Sequence, residues 1–76
     1  MKKEESIGER LRQVRKDSGM TQQEFAEVLG VNAHSQVSKY ENNEMRPSVE
    51  NVIRLSQKTG VSIDWLLLGE SKDFGR

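Results

Sequence analysis

"TQQEFAEVLGVNAHSQVSKYENN", residues 21–43, reads as two short helices joined by a glycine turn. Thr21-Gln22-Gln23-Glu24 forms a capping box, in which a hydroxyl and a carboxylate three residues apart satisfy each other's backbone donors. Phe25, Ala26, Val28 and Leu29 then supply an apolar face. Gly30 closes this helix after about two turns, because glycine accepts the left-handed conformation that ends helices. The next helix begins between Asn32 and Ser35 and runs to about Asn42. Asn43 suits its exit, since asparagine tolerates positive φ better than other side-chain-bearing residues.

The second helix has little to bury. With Val37 pointing inward on a wheel of about 100° per residue, Ala33, Tyr40 and Glu41 fall within about 60° of it. Ser35, Lys39 and Asn42 lie opposite, flanked by Gln36 and Ser38. A narrow anchoring stripe backs a surface of short hydrogen-bonding side chains and one lysine. Short side chains let a helix backbone approach base edges in a DNA major groove, and amides, hydroxyls and lysine can pair with them. A solvated surface helix is the bland reading of such a face. Two short helices around a glycine turn, the second polar outside, favour the groove-reading one.

Outward from this unit, start and stop signals recur. Ser6-Ile7-Gly8-Glu9 is another capping box, followed by Ile7, Leu11 and Val14 on one helix face and by Gly19 as a stop. Ser48 opens a helix carrying Val49, Val52, Ile53 and Leu55, stopped by Gly60. Ser62 opens a short one with Ile63, Leu66 and Leu67, stopped by Gly69. No strand pattern competes. The expected fold is all-α, five short helices in one domain over residues 6–69, with a flexible N-terminus at 1–5 and a polar tail at 70–76.

Composition narrows the function. The chain has 76 residues, enough for one small domain. Without cysteine it has no disulfides and no thiolate metal site, and a reducing cytoplasm is its natural compartment. One histidine, His34, has no companion with which to hold a metal. No run approaches the ~20 apolar residues of a membrane span. An enzyme is disfavoured: there is no glycine-rich phosphate loop and no carboxylate pair set by spacing. No cofactor is expected. The 12 basic and 12 acidic residues cancel, which argues against indiscriminate nucleic-acid binding and for a shallow salt dependence. Residues 21–46 are mildly acidic, with Glu24, Glu27, Glu41 and Glu44 against Lys39 and Arg46. Local positive charge is offered instead by Arg10, Arg12, Arg15 and Lys16.

Three stretches, "IGERLRQVRKDSGMTQQEFAEVLGV", "VSKYENNEMRPS" and "TGVSIDWLLLGE", together resemble the lambda-repressor-like, XRE-type helix-turn-helix domain. The parts occur in order: Gly-x-Thr-Gln-x-x-x-Ala, Ser-x-Tyr-Glu-Asn, Pro-Ser and Ser-x-Asp-Trp-Leu-Leu-x-Gly. The resemblance implies five helices with the helix-turn-helix at the second and third. It also implies a homodimer and sequence-specific binding of double-stranded operator DNA in bacteria or their phages. It assigns base reading to His34, Ser35, Ser38 and Lys39, with Gln36 as a further candidate. It assigns backbone contact to Gln22, at the positive end of a helix dipole, to Asn42 and Asn43, and to Arg46, for which a solvated arginine is an equal reading. Arg15 and Glu41 match a structural ion pair, and Trp65 and Leu68 lie near the family's dimer contact, Trp65 also serving the core.

One departure stands out. The family's β-branched anchor usually lies six residues after the turn glycine, whereas Val37 lies seven after Gly30. The extra residue either lengthens the turn, with Ser35 as cap and His34 beside phosphates, or extends the helix, with Asn32 as cap and His34 on its first turn.

The leading expectation is a transcriptional regulator, a dimeric repressor or controller protein on a near-palindromic operator, with half-sites about one helical turn (~34 Å) apart. It would work in the cytoplasm, on the nucleoid when bound to DNA. With no room after the fifth helix for a ligand-binding domain, control would come from concentration, a partner or proteolysis. The rival is a protein-interaction module on the same fold, antitoxin-like or an adaptor, suggested by zero net charge, Glu44 in the exit loop and the added residue.

Overall fold

A computed structural model of the chain describes residues 6–69; the expected flexible N-terminus at 1–5 and polar tail at 70–76 lie outside them. The described residues form five helices and no strand: α1 (Ile7–Asp17), α2 (Gln22–Leu29), α3 (His34–Glu41), α4 (Val49–Thr59) and α5 (Ile63–Leu68). Three of them open on complete capping boxes, Ser6 with Glu9, Thr21 with Glu24 and Ser48 with Asn51. Gly30, Gly60 and Gly69 close α2, α4 and α5 in the left-handed conformation.

Each helix sends at least one side chain to a single core. Leu11, Phe25, Leu29, Val37, Leu55 and Leu66 are fully buried, each contributing about 1.5–3 kcal/mol relative to exposure. Helix α3 rests on α2 and α1, α4 packs on α2, and α5 closes the far side against α1 and α4. The polar helix is thus backed on two sides by apolar ones.

The apolar faces of α4 and α5 are narrower than their residues suggest. Val52 and Leu55 take the inner line of α4, leaving Ile53, about 100° round from Val52, partly exposed. Val49, in the first helical position where side chains project back past the helix end, is 76% exposed. On α5 only Leu66 is fully buried; Ile63, Leu67 and Leu68 face outward and Trp65 packs part-buried against the core.

Neither expected cap opens α3. Its N-cap is Ala33, in extended conformation and with no side-chain cap bond, so Asn32 and Ser35 are both displaced from that role. His34 is the first helical residue, and Val31, Asn32 and Ala33 separate it from Gly30. At the other end Asn43 does take positive φ, at 63°.

Candidate nucleic-acid interface

On helix α3 His34, Ser35 and Lys39 are exposed to solvent, with Gln36 and Ser38 half-buried beside them. Behind this face Val37, Tyr40 and Glu41 are buried. The N-terminus of α3, the positive end of the helix, adds to the surface and carries no side-chain cap.

The buried carboxylate of Glu41 organises one edge of this face. Arg15 clamps it with two bonds, Nε to Oε2 at 2.6 Å and Nη2 to Oε1 at 3.2 Å. Oε1 also accepts from Gln22 Nε2 at 3.2 Å and from Arg12 Nε at 3.4 Å. Burial alone would push the Glu41 carboxyl up. The hydrogen bonds from Arg15, Gln22 and Arg12, with the Arg15 charge, outweigh burial and hold it below its ordinary value. No side-chain polar atom in the described buried regions is left without a partner. Helices α1, α2 and α3 therefore meet at one charged knot beneath the polar face.

The expected site residues divide accordingly. Gln22 faces the knot and the surface together: one amide hydrogen is engaged by Glu41, and the residue opens α2. Asn42 is exposed and accepts from Arg12 Nη2 at 3.1 Å. Asn43 turns inward. Its Oδ1 accepts from the Gly8 N–H at 3.1 Å, its Nδ2 donates to Ser6 Oγ at 2.9 Å, and its own N–H donates to the Tyr40 carbonyl at 3.1 Å. It ties the start of α1 to the end of α3. Arg46 is exposed in the loop before α4.

Two expected sources of local positive charge prove less available. Arg10 is 4% exposed, its Nε donating to the Leu66 carbonyl at 2.7 Å and Nη2 to that of Leu67 at 3.3 Å. It is consumed in holding α5, whose last carbonyls lack helical partners. The Arg15 side chain is 15% exposed and committed to Glu41.

Two residues play larger parts at the site than the sequence reading assigned them, Arg12 having counted only as local positive charge and Gly8 only as part of a capping box. Arg12, with a side chain 43% exposed, bridges Glu41 and Asn42 on the face that carries Gln22. Its spacing of three before Arg15 on α1 is the signal that places both on one side. Gly8 lies where α1 crosses α3: a Cβ there would sit 2.5 Å from the Glu41 carbonyl oxygen and 2.6 Å from that of Tyr40. Among the described residues no group of acidic or histidine side chains is arranged to hold a metal, and no helix is long and apolar enough to cross a membrane.

Comparison with known proteins agrees with this geometry. The SPbeta prophage-derived HTH-type transcriptional regulator YonR of Bacillus subtilis is 37% identical over 68 residues, covering 90% of this chain and 62% of the relative. The HTH-type transcriptional regulator ImmR of the same organism is 37% identical over 62 residues, covering 82% of this chain and 48% of the relative. The chain thus spans about half to three fifths of these relatives' length. Among solved structures, the P22 c2 repressor in complex with a synthetic operator superposes with a TM-score of 0.78 at 33% identity, over 87% of this chain and 98% of that one. SinR, the master regulator for biofilm formation, in complex with DNA, gives 0.68 at 38% identity, over 79% and 95%. The helix-turn-helix family HTH_3, which is not an enzyme family, matches residues 11–66, from the core leucine of α1 to that of α5. The chain belongs to this family of helix-turn-helix proteins.

Proposed function

We propose that this chain is a sequence-specific regulator of transcription that binds double-stranded DNA through α3. The observation that carries the reading is the polar, exposed face of α3 set on a buried apolar stripe and steadied by the Glu41 knot. His34, Ser35, Ser38 and Lys39 would meet base edges, with Gln36 beside them. Gln22, Asn42, Arg12 and Arg46 would meet phosphates, Gln22 with its second amide hydrogen at the start of α2, where the helix dipole favours an anion. Asn43, exposed at the exit of α3, would brace α1 against α3 and stand beside a phosphate. The operators bound by P22 c2 repressor and the DNA bound by SinR support this reading for a chain of such similarity.

The finer part of the proposal is a homodimer on a near-palindromic operator, acting in the cytoplasm as a repressor or controller. Leu68, 67% exposed on α5 beside half-buried Trp65, together with Ile63 and Leu67, supplies apolar surface for a two-fold contact.

The test is to incubate the purified protein with a pool of random DNA duplexes and sequence those it retains. Enrichment of a two-fold symmetric site, with a dimeric mass in sedimentation of the complex, is expected. A folded protein that enriches no sequence at low salt would sink the reading.

A further inference from the structure

Met45 is a large apolar residue, 42% exposed, in an otherwise polar loop of Asn42, Asn43, Glu44 and Arg46. It takes no place in the hydrophobic core. Its position is nevertheless fixed. The Glu44 and Met45 N–H groups both donate to the Lys39 carbonyl, at 2.8 and 3.3 Å, so the chain leaving α3 folds back along that helix. Met45 then lines an open cleft of about 240 Å³ with Ser35, Gln36 and Lys39. Ser35 and Lys39, four residues apart, stand one turn above the other on the outward face.

The cleft is held open from behind. Gln36 Nε2 donates to the Tyr40 hydroxyl at 2.7 Å, and that hydroxyl donates to Asn51 Oδ1 at 3.3 Å. Asn51 is itself anchored, its Nδ2 donating to the Leu29 carbonyl at 2.9 Å. Gln36 is therefore tied toward α4 rather than loose to fold across the opening. The volume is several times the ~30 Å³ of a water molecule, enough for a methyl group and the base edge that bears it.

The lining sets a thioether beside a hydroxyl and an ammonium. Its complement is an apolar methyl next to a hydrogen-bond acceptor. In the major groove that pair belongs to thymine, whose 5-methyl lies beside the O4 acceptor; cytosine there offers a donor and no methyl. We infer that the cleft between Met45 and the Ser35–Lys39 edge of α3 receives a thymine methyl, making Met45 a specificity-determining residue. O4 accepts from Lys39 or Ser35, and the flexible, polarisable methionine closes over the methyl. This rests on the DNA-binding reading above.

The experiment uses the selected operator. Each thymine of one half-site is replaced in turn by deoxyuridine, which removes only the methyl, and affinity is measured for the parent protein, Met45→Ala and Met45→Leu. The expected result is one position at which the parent weakens about fourfold, the value of one buried methyl. Met45→Ala should bind the thymine operator correspondingly less well and ignore the replacement, while Met45→Leu keeps the dependence. A Met45→Ala loss that is equal for thymine and uracil at every position would mean a backbone or sugar contact and overturns the inference. So would a parent indifferent to every replacement. Either outcome leaves operator binding intact, whereas failure to select any operator overturns the DNA reading and this inference with it.

Discussion

Replacing Glu41 by alanine should damage the fold far more than the reading of DNA. The Glu41 side chain is 1% exposed, and it receives bonds from Arg15, Arg12 and Gln22. Its removal leaves the Arg15 guanidinium, 15% exposed, with only the Met20 carbonyl at 3.2 Å as partner. Deleting one member of a buried pair costs about 3–5 kcal/mol. The Arg12 side chain is 43% exposed and recovers water, so the lower end, about 3 kcal/mol, applies. Against a total stability of about 4–11 kcal/mol for a domain of this length, that is a large share. The melting temperature should fall by roughly 12–24 °C. Urea unfolding followed by circular dichroism gives the stability loss. Operator affinity, measured at a temperature where the variant is still folded, should fall by less than tenfold, because Ser35 and Lys39 stand about 120° and about 160° round α3 from Glu41. A variant as stable as the parent that no longer binds would refute the assignment of Glu41 to the scaffold.

Other outcomes follow from single features. The Glu41 carboxyl is held below its ordinary value when folded, so its contribution is complete above the unfolded value of about 4.3 and is lost as pH falls through the lower folded value. Stability of the parent should therefore converge on that of Glu41→Gln during acid titration; a constant gap down to the acid transition would contradict this. Gly8→Ala should destabilise by about 1–3 kcal/mol through the clash with α3, despite the ~1 kcal/mol that alanine ordinarily gains over glycine in a helix. A raised melting temperature would show that α1 and α3 separate freely. Ala33→Ser should stabilise by about 1 kcal/mol, since the backbone there already has cap geometry. Ala33→Asp should stabilise similarly yet weaken operator binding, its carboxylate standing where a phosphate approaches; unchanged affinity would move the DNA away from the start of α3.

What the sequence made legible was local. Capping boxes and turn glycines are written in adjacent residues, and Ser6, Thr21, Ser48 and Ser62 all cap as their neighbours require. The start of α3 was not legible, because alanine carries no capping group to announce itself; the cap is set by the turn after Gly30 and by Val37 reaching the core. Arg10 was misread for a different reason. Its burial depends on α5 returning to α1 across 56 residues of chain, a contact that no local pattern encodes. Asn43 combined both kinds of information: positive φ follows from its type, while the bonds to Gly8 and Ser6 follow from the crossing of α1 and α3.

The acidic stretch of residues 21–46 also changes meaning once its carboxylates are located. Glu24 is spent on the Thr21 N–H at 2.9 Å, closing the capping box at the start of α2, where negative charge is favourable. Glu41 is buried and surrounded by two guanidinium groups and an amide. Only Glu27 and Glu44 remain as exposed carboxylates without such a role. The same network removes Arg15 from the positive side, and Arg10 goes to α5. Charge is thus withdrawn from both signs beneath the polar face, leaving Lys39, Arg46 and part of Arg12 beside neutral hydrogen-bonding groups. With little sequence-independent attraction to phosphate, affinity for DNA would have to come from matching base edges. Near-zero net charge is therefore compatible with a selective binder, provided that α3 is held rigidly, and the Glu41 knot supplies that rigidity.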